Sequence, residues 1–138
     1  MGGNDLYVNI FCIDDNQLNH YIFEKFAHKL MVNAQITNFL DCRDALTKLY
    51  SINNLKDLPD YIFLDINMPI MSGWDFLDEL NNLHINTWNK IAIYIVSSST
   101  FAHDKEKSLQ YSIVREFISK PLQQEKLKEI FNIDQPFG

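Results

Sequence analysis

The chain is short of the features that would tie it to a membrane, a metal cluster or a nucleic acid. No apolar run approaches the roughly 20 residues that cross a bilayer, and no leader pattern precedes the first apolar stretch. A cytoplasmic location is expected. Only two cysteines are present, Cys12 and Cys42, without metal-ligand spacing. They read as buried thiols rather than a disulfide. Lys and Arg number 12 against 18 acidic residues, for a net charge of −6. Without a basic cluster, neither a nucleic-acid nor a membrane-surface partner is expected. Repeats and low-complexity segments are missing too. What the chain does have is a core: 46% hydrophobic and 13% aromatic residues over 138 positions, enough for one globular domain.

The stretch 61–69 organises the rest. Tyr61, Ile62, Phe63 and Leu64 lack the polar alternation of a half-exposed strand and read as a strand buried on both faces. Pro69 lacks an amide hydrogen and biases Met68 toward extended or turn geometry. Asp65 therefore stands at the carboxyl end of a central strand, where open α/β sheets place their ligands.

Strand and helix signals alternate along the chain. A strand over 6–13 ends in Asp14 and Asp15. The helix after it carries Leu18, Ile22, Phe26 and Leu30 at a spacing of four, which predicts one buried stripe. A weaker strand follows over 34–40. Asp41 suits an N-cap for a helix burying Cys42, Ala45, Leu46, Leu49 and Tyr50. Ser72 and Asp75 have capping-box spacing before a helix burying Phe76, Leu77, Leu80 and Leu83. An apolar strand over 91–96 runs into Ser97. The next helix, about 101–111, is nearly all polar at its centre. A short strand over 116–119 leads to Lys120 and Pro121, and a last helix buries Leu127, Ile130 and Phe131. Residues 133–138 read as a tail. The pattern predicts an α/β fold: a five-stranded parallel sheet in the order 2-1-3-4-5, flavodoxin-like, a (βα)5 three-layer sandwich.

In such a sheet the carboxyl ends share one edge. Strands one, three, four and five then deliver Asp14 and Asp15, Asp65, Ser97 and Lys120 to the same rim. Crowded carboxylates repel unless a cation joins them, and oxygen-only ligands favour a hard ion such as Mg²⁺. Lysine and hydroxyl would complete a cradle for a phosphoryl group. Each residue alone has a plainer reading: Asp14 and Asp15 as helix caps, Asp65 as a turn residue, Ser97 as a loop hydroxyl, Lys120 as a solvated charge. The histidines share no spacing and default to surface or satisfied-core positions; Trp74 and Trp88 default to packing. Only the coincidence on consecutive strand ends favours chemistry.

Those residues, with Asn67, Met68, Pro69, Ser72, Gly73 and Phe117, make the chain resemble a two-component response-regulator receiver domain over about 6–131. The resemblance is to the stand-alone, chemotaxis-regulator-like form, so a single domain over 1–138 without an effector domain is expected. The resemblance implies that Asp65 accepts a phosphoryl group from a sensor histidine kinase or a histidine phosphotransfer protein. It also implies Mg²⁺ bound by Asp15, Asp65 and the Asn67 carbonyl, with Asp14 acting through metal-bound water. Lys120 would pair with one phosphoryl oxygen and Ser97 with another. Phe117 would follow Ser97 as a switch, signalling through α4, β5 and α5 to a downstream protein. The Lys120–Pro121 bond is often cis in this family. Ser98 stands where the family often has alanine, and Asn67 and Ser99 occupy positions that tune dephosphorylation. On this reading the chain is not an enzyme beyond self-catalysed phosphoryl transfer and autodephosphorylation. The alternatives are a phosphorelay shuttle without its own output and a haloacid-dehalogenase-like phosphatase. The latter usually needs an Asp two residues after the nucleophile, where this chain has Asn67. A flavodoxin-like cofactor binder would want a Gly- and hydroxyl-rich loop where Asp14, Asp15 and Asn16 stand.

Overall fold

A computed structural model describes residues 7–31, 33–82, 90–98 and 102–134. In chain order the elements are β1 (Val8–Ile13), α1 (Gln17–Leu30), β2 (Ala34–Phe39), α2 (Cys42–Ser51), β3 (Tyr61–Leu64) and α3 (Gly73–Asn82). They continue with β4 (Ala92–Ser97), α4 (Ala102–Ser108), β5 (Val114–Ser119) and α5 (Gln124–Asp134). The five strands are all parallel and lie in the order β2-β1-β3-β4-β5. This is the predicted flavodoxin-like arrangement. Among the described residues, no helix is long and apolar enough to cross a membrane.

Period-two alternation along the strands splits the core in two. Phe11, Ile13, Ile62, Leu64, Ile93 and Ile95 pack with the buried residues of α2 and α3. Their neighbours Ile10, Cys12, Tyr61, Phe63, Tyr94 and Val96 pack on the other face with Phe23 and Ala27 of α1 and Leu127, Ile130 and Phe131 of α5. β3 and β4 are buried along their whole length, so the middle strands read as continuous apolar runs. Both cysteines are buried and free. Burial pushes both thiols up, Cys42 to about 12, which leaves them unreactive.

The α1 stripe is the main correction. Leu18 is 61% and Ile22 40% exposed, and the buried face is instead His20, Phe23 and Ala27. A spacing of four overshoots the 3.6-residue turn, so residues chosen that way drift around the helix. Spacings of three and four in alternation stay on one side. Phe26 and Leu30 do reach the core, as partly buried members.

The second correction is Tyr50, which is 52% exposed and donates its hydroxyl to Glu79 of α3 at 3.0 Å. The other expected α2 residues are buried, below an N-cap in which Asp41 accepts from Arg43 N at 2.8 Å. α4 is shorter than predicted and buries only Ser108, and β5 begins earlier, at Val114. α5 runs to Asp134, past the expected start of the tail. Leu83, His84, Trp88, Ser99 and Phe101 lie outside the described residues.

Trp74 is a packing residue with a particular neighbourhood. It stacks on Tyr111 at 5.6 Å between centroids, Lys107 Nζ lies 4.8 Å from its ring, and Tyr111 donates to Asp78 at 2.7 Å. The indole thus joins α3 to the end of α4, where it can report on both.

Gly73 opens α3 beneath the carboxyl edge of the sheet. A Cβ there would lie 2.6 Å from Ile66 Cα and 2.8 Å from Asp65 O. Backbone cannot yield as a flexible side chain can. Gly73→Ala is expected to push α3 off the sheet and lower stability by about 1–3 kcal/mol. Chemical denaturation checks this, and an unchanged midpoint would mean that α3 repositions freely.

Candidate phosphoacceptor site

Four strand ends meet at one rim because each is fastened to its neighbour just where pairing stops. Asp14 N donates to Phe39 O at 3.0 Å, Asp65 N to Ile13 O at 3.0 Å, and Lys120 N to Ser97 O at 2.8 Å. These bonds extend the ladder by one residue and hold the side chains of Asp14, Asp65, Ser97 and Lys120 in a common frame. β2 ends in Leu40 and the Asp41 cap, and adds nothing to the rim.

Carboxylate oxygens of Asp14, Asp15 and Asp65 lie within 4.8 Å of one another. Asp14 and Asp65 are buried, each 6% exposed, while Asp15 is open to solvent. Lys120 bridges the buried two, with Nζ 2.9 Å from Asp14 Oδ2 and 3.2 Å from Asp65 Oδ2. Burial pushes the Asp65 carboxyl above its ordinary range. The hydrogen bond from Asn67 N and the charge of Lys120 oppose that shift without cancelling it. Burial alone would lower the Lys120 ammonium, but the bond to Asp14 and the charges of both aspartates outweigh it and hold it up. A carboxylate kept from full solvation beside a firmly charged lysine suits attack on an anionic group.

Ser97 is fully buried at the end of β4, and its Oγ lies 3.3 Å from Asn67 Nδ2. Asn67 itself is exposed, and its amide N–H donates to Asp65 Oδ1 at 3.0 Å. Phe117 sits opposite Ile95 in the β4–β5 register and packs half-buried against the α2–α3 cluster. The Lys120–Pro121 peptide is cis.

The loop between β3 and α3 is held at both ends. Gly73 N donates to Ile66 O at 3.1 Å, and Ser72 and Asp75 form the reciprocal capping box at 3.2 and 3.1 Å. Between them Met71 N reaches Pro69 O at 2.8 Å, which forces Ile70 to a φ of 69°. A β-branched residue in that region costs about 1–3 kcal/mol. Ile70 is also 78% exposed, so no packing of its own side chain offsets the strain.

Three features escaped the sequence pattern. Asn19 Nδ2 donates to Asp14 Oδ2 at 3.1 Å, and His20 Nε2 lies 2.7 Å from Asp14 O. A carbonyl can only accept, so Nε2 carries the proton, and Nδ1 is left buried without a partner. The third is a groove of about 280 Å³ beside the rim, lined by Ile22, Phe26, Val96, Pro121 and Leu122 and reaching Asp14, Asp65 and Lys120. Asn19 and His20 are two of several polar residues on α1, beside Gln17, Glu24, Lys25, His28 and Lys29, so the pattern did not single them out. The groove draws on α1, on β1, β3 and β4, and on the segment after β5, elements distant in sequence, and left none.

The fold and the rim together define a doubly wound α/β domain with an acidic, lysine-bridged site at its carboxyl edge. The chain matches the response regulator receiver domain model over residues 10–132, and it belongs to that family. Among known proteins it is similar to Hybrid signal transduction histidine kinase I of Dictyostelium discoideum, 29% identical over 123 residues, covering 89% of this chain and 7% of that protein. It is also similar to Stress response regulator protein 1 of Scheffersomyces stipitis, 32% identical over 101 residues, covering 73% of this chain and 32% of that protein. The chain thus spans less than a third of these relatives. A two-component response regulator from Cytophaga hutchinsonii superposes with a TM-score of 0.80 at 24% identity, covering 94% of this chain and 98% of that one.

Proposed function

We propose that this receiver domain accepts a phosphoryl group on Asp65 from a phosphohistidine of a sensor histidine kinase or phosphotransfer protein, and passes the signal to a protein partner. The observation that carries this reading is Lys120 joined to both buried aspartates at the rim. Asp65 Oδ2, released as Lys120 shifts to the phosphoryl oxygens, attacks phosphorus, the P–N bond to histidine breaks, and the imidazole nitrogen regains a proton. Lys120 opposes the charge on the phosphoryl oxygens, and Asn67 N orients the other Asp65 oxygen.

The donor set is all oxygen, which fits a hard divalent cation such as Mg²⁺ held by Asp15, Asp65, the Asn67 carbonyl and, through water, Asp14. When bound, such an ion supplies positive charge to the phosphoryl oxygens. A donor histidine must approach Asp65 past Ile22, Phe26 and Leu122. The apolar residues that α1 leaves exposed therefore suit the partner's contact surface. For output, Ser97 turns from Asn67 toward the new acceptor oxygens, and Phe117 fills the space that opens behind it. α4, which buries a single residue, is the element that repacks most cheaply.

Mg²⁺ titration followed by fluorescence tests the rim. Trp74 lies on α3, behind the Asp65 loop, and its emission should saturate with Mg²⁺ in the wild type. Asp15→Asn should weaken that response at least tenfold, since it removes a direct ligand. An unchanged titration would remove Asp15 from the site.

A further inference from the structure

Asp14 is gripped by more donors than metal binding demands. Oδ1 accepts from Asn16 N at 2.9 Å, while Oδ2 accepts from both Lys120 Nζ at 2.9 Å and Asn19 Nδ2 at 3.1 Å. The carbonyl of the same residue accepts from His20 at 2.7 Å. Asn16, Asn19 and His20 lie at the start of α1, with Asn16 as its N-cap, so one rigid turn holds Asp14 from the helix side. Lys120 holds it from the sheet side.

Once Asp65 carries a phosphoryl group, the Lys120 charge is needed at the phosphoryl oxygens. Leaving Asp14 is costly, because Asp14 is 6% exposed and a buried carboxylate oxygen without a donor is strongly disfavoured. Asn19 removes that obstacle. It already bonds the oxygen that Lys120 would abandon. Being neutral, it satisfies the lone pair without competing for the metal's place as a positive charge. We propose that Asn19 is a positioning residue for phosphoryl transfer: it keeps Asp14 Oδ2 paired while Lys120 moves from Asp14 to the phosphoryl group. The inference rests on the phosphoacceptor reading of Asp65.

The test compares wild type with Asn19→Ala, Asn19→Ser and Asn19→Gln. In metal-free protein, lysine-selective ¹⁵N NMR reads the Lys120 ammonium. In Asn19→Ala its hydrogens should exchange more slowly with water, because Lys120 becomes the main donor to Asp14 Oδ2. With acetyl phosphate and saturating Mg²⁺, the maximal phosphorylation rate of Asn19→Ala should fall roughly tenfold, the effect of one unsatisfied buried acceptor. Mg²⁺ affinity should change less than twofold, and Asn19→Ser or Asn19→Gln should restore part of the rate. Wild-type rate and wild-type Lys120 exchange in Asn19→Ala overturn the inference alone. So does a parallel loss of rate and Mg²⁺ affinity without rescue, which marks Asn19 as a support of the acidic turn. If Asn19→Ala does not fold, Asn19→Leu, nearly isosteric and without a donor, carries the same two readouts. A wild type that takes up no phosphoryl group overturns the functional reading and this inference together.

Discussion

Asp65→Asn is expected to take up no phosphoryl group from acetyl phosphate where the wild type gains one, and to melt higher than the wild type without metal. The first effect follows from replacing the nucleophilic oxygen by an amide of nearly the same shape. The second follows from the cost of keeping Asp65 charged. Its folded pKa lies above the ordinary 3.8, chiefly through burial. Between the two values the native state binds more protons than the unfolded state, so stability falls as pH rises. The contribution of the protonated group is complete below about 3.8 and lost as pH climbs through the folded value. Asparagine titrates nowhere in that range. Its melting advantage should therefore open on going from acid to neutral pH and stay constant above. Intact mass with hydroxylamine treatment reads the modification, and calorimetry at several pH values reads the stability. Phosphoryl uptake that persists on another residue of the mutant would sink the assignment. A mutant that melts lower would show that Lys120 more than offsets the burial of Asp65.

The rim was legible in the sequence because its residues are fixed by strand ends, and strand ends are marked by abrupt changes of chemistry. Ile13 to Asp14, Leu64 to Asp65 and Val96 to Ser97 are such changes. Buried parallel strands then leave few topologies, which set those ends side by side. The α1 face was not legible, since Leu18, Ile22, Phe26 and Leu30 satisfy an apolar rule without saying which of two helical sides meets the sheet. His20 was hidden for a related reason. A histidine counts as polar in a pattern, yet here it is 4% exposed, its place set by the bond to the Asp14 carbonyl.

Ile70 shows the opposite failure. Pro69 announced a turn, but a glycine or asparagine would be the ordinary sign of a left-handed residue. The conformation goes with the Met71–Pro69 bond, in a loop whose far end is fastened by the Gly73–Ile66 bond and the capping box. The same loop carries the Asn67 amide that donates to Asp65 at 3.0 Å.

Lys120→Ala should have the largest effect on stability. Lys120 joins two carboxylates whose side chains are 9% and 7% exposed. Removing it leaves Asp14 with Asn16 and Asn19, and Asp65 with the Asn67 amide. Losing one partner of a buried charge cluster costs about 3 kcal/mol. The Lys120 pKa is held above 10.5 in the folded state, so its contribution is complete below that value and lost only as pH rises past it. Any change in the mutant's deficit between pH 4 and 7, on the order of pH units around the carboxylate range, therefore comes from the aspartates. Without the lysine the folded pKa of Asp65 moves further up, and acid should recover stability by protonating it. The deficit relative to wild type is expected to be widest at neutral pH and to shrink as pH falls. Added Mg²⁺ should stabilise the mutant more than the wild type, because the mutant's acidic site has lost its cation. Phosphorylation should slow by on the order of 10²-fold, as for loss of one preorganised charge partner. Urea titrations at three pH values, with and without Mg²⁺, measure the first three effects. A deficit independent of both pH and Mg²⁺ would trace the loss to packing of the lysine stem, and the charge-bridge account of the site would fail.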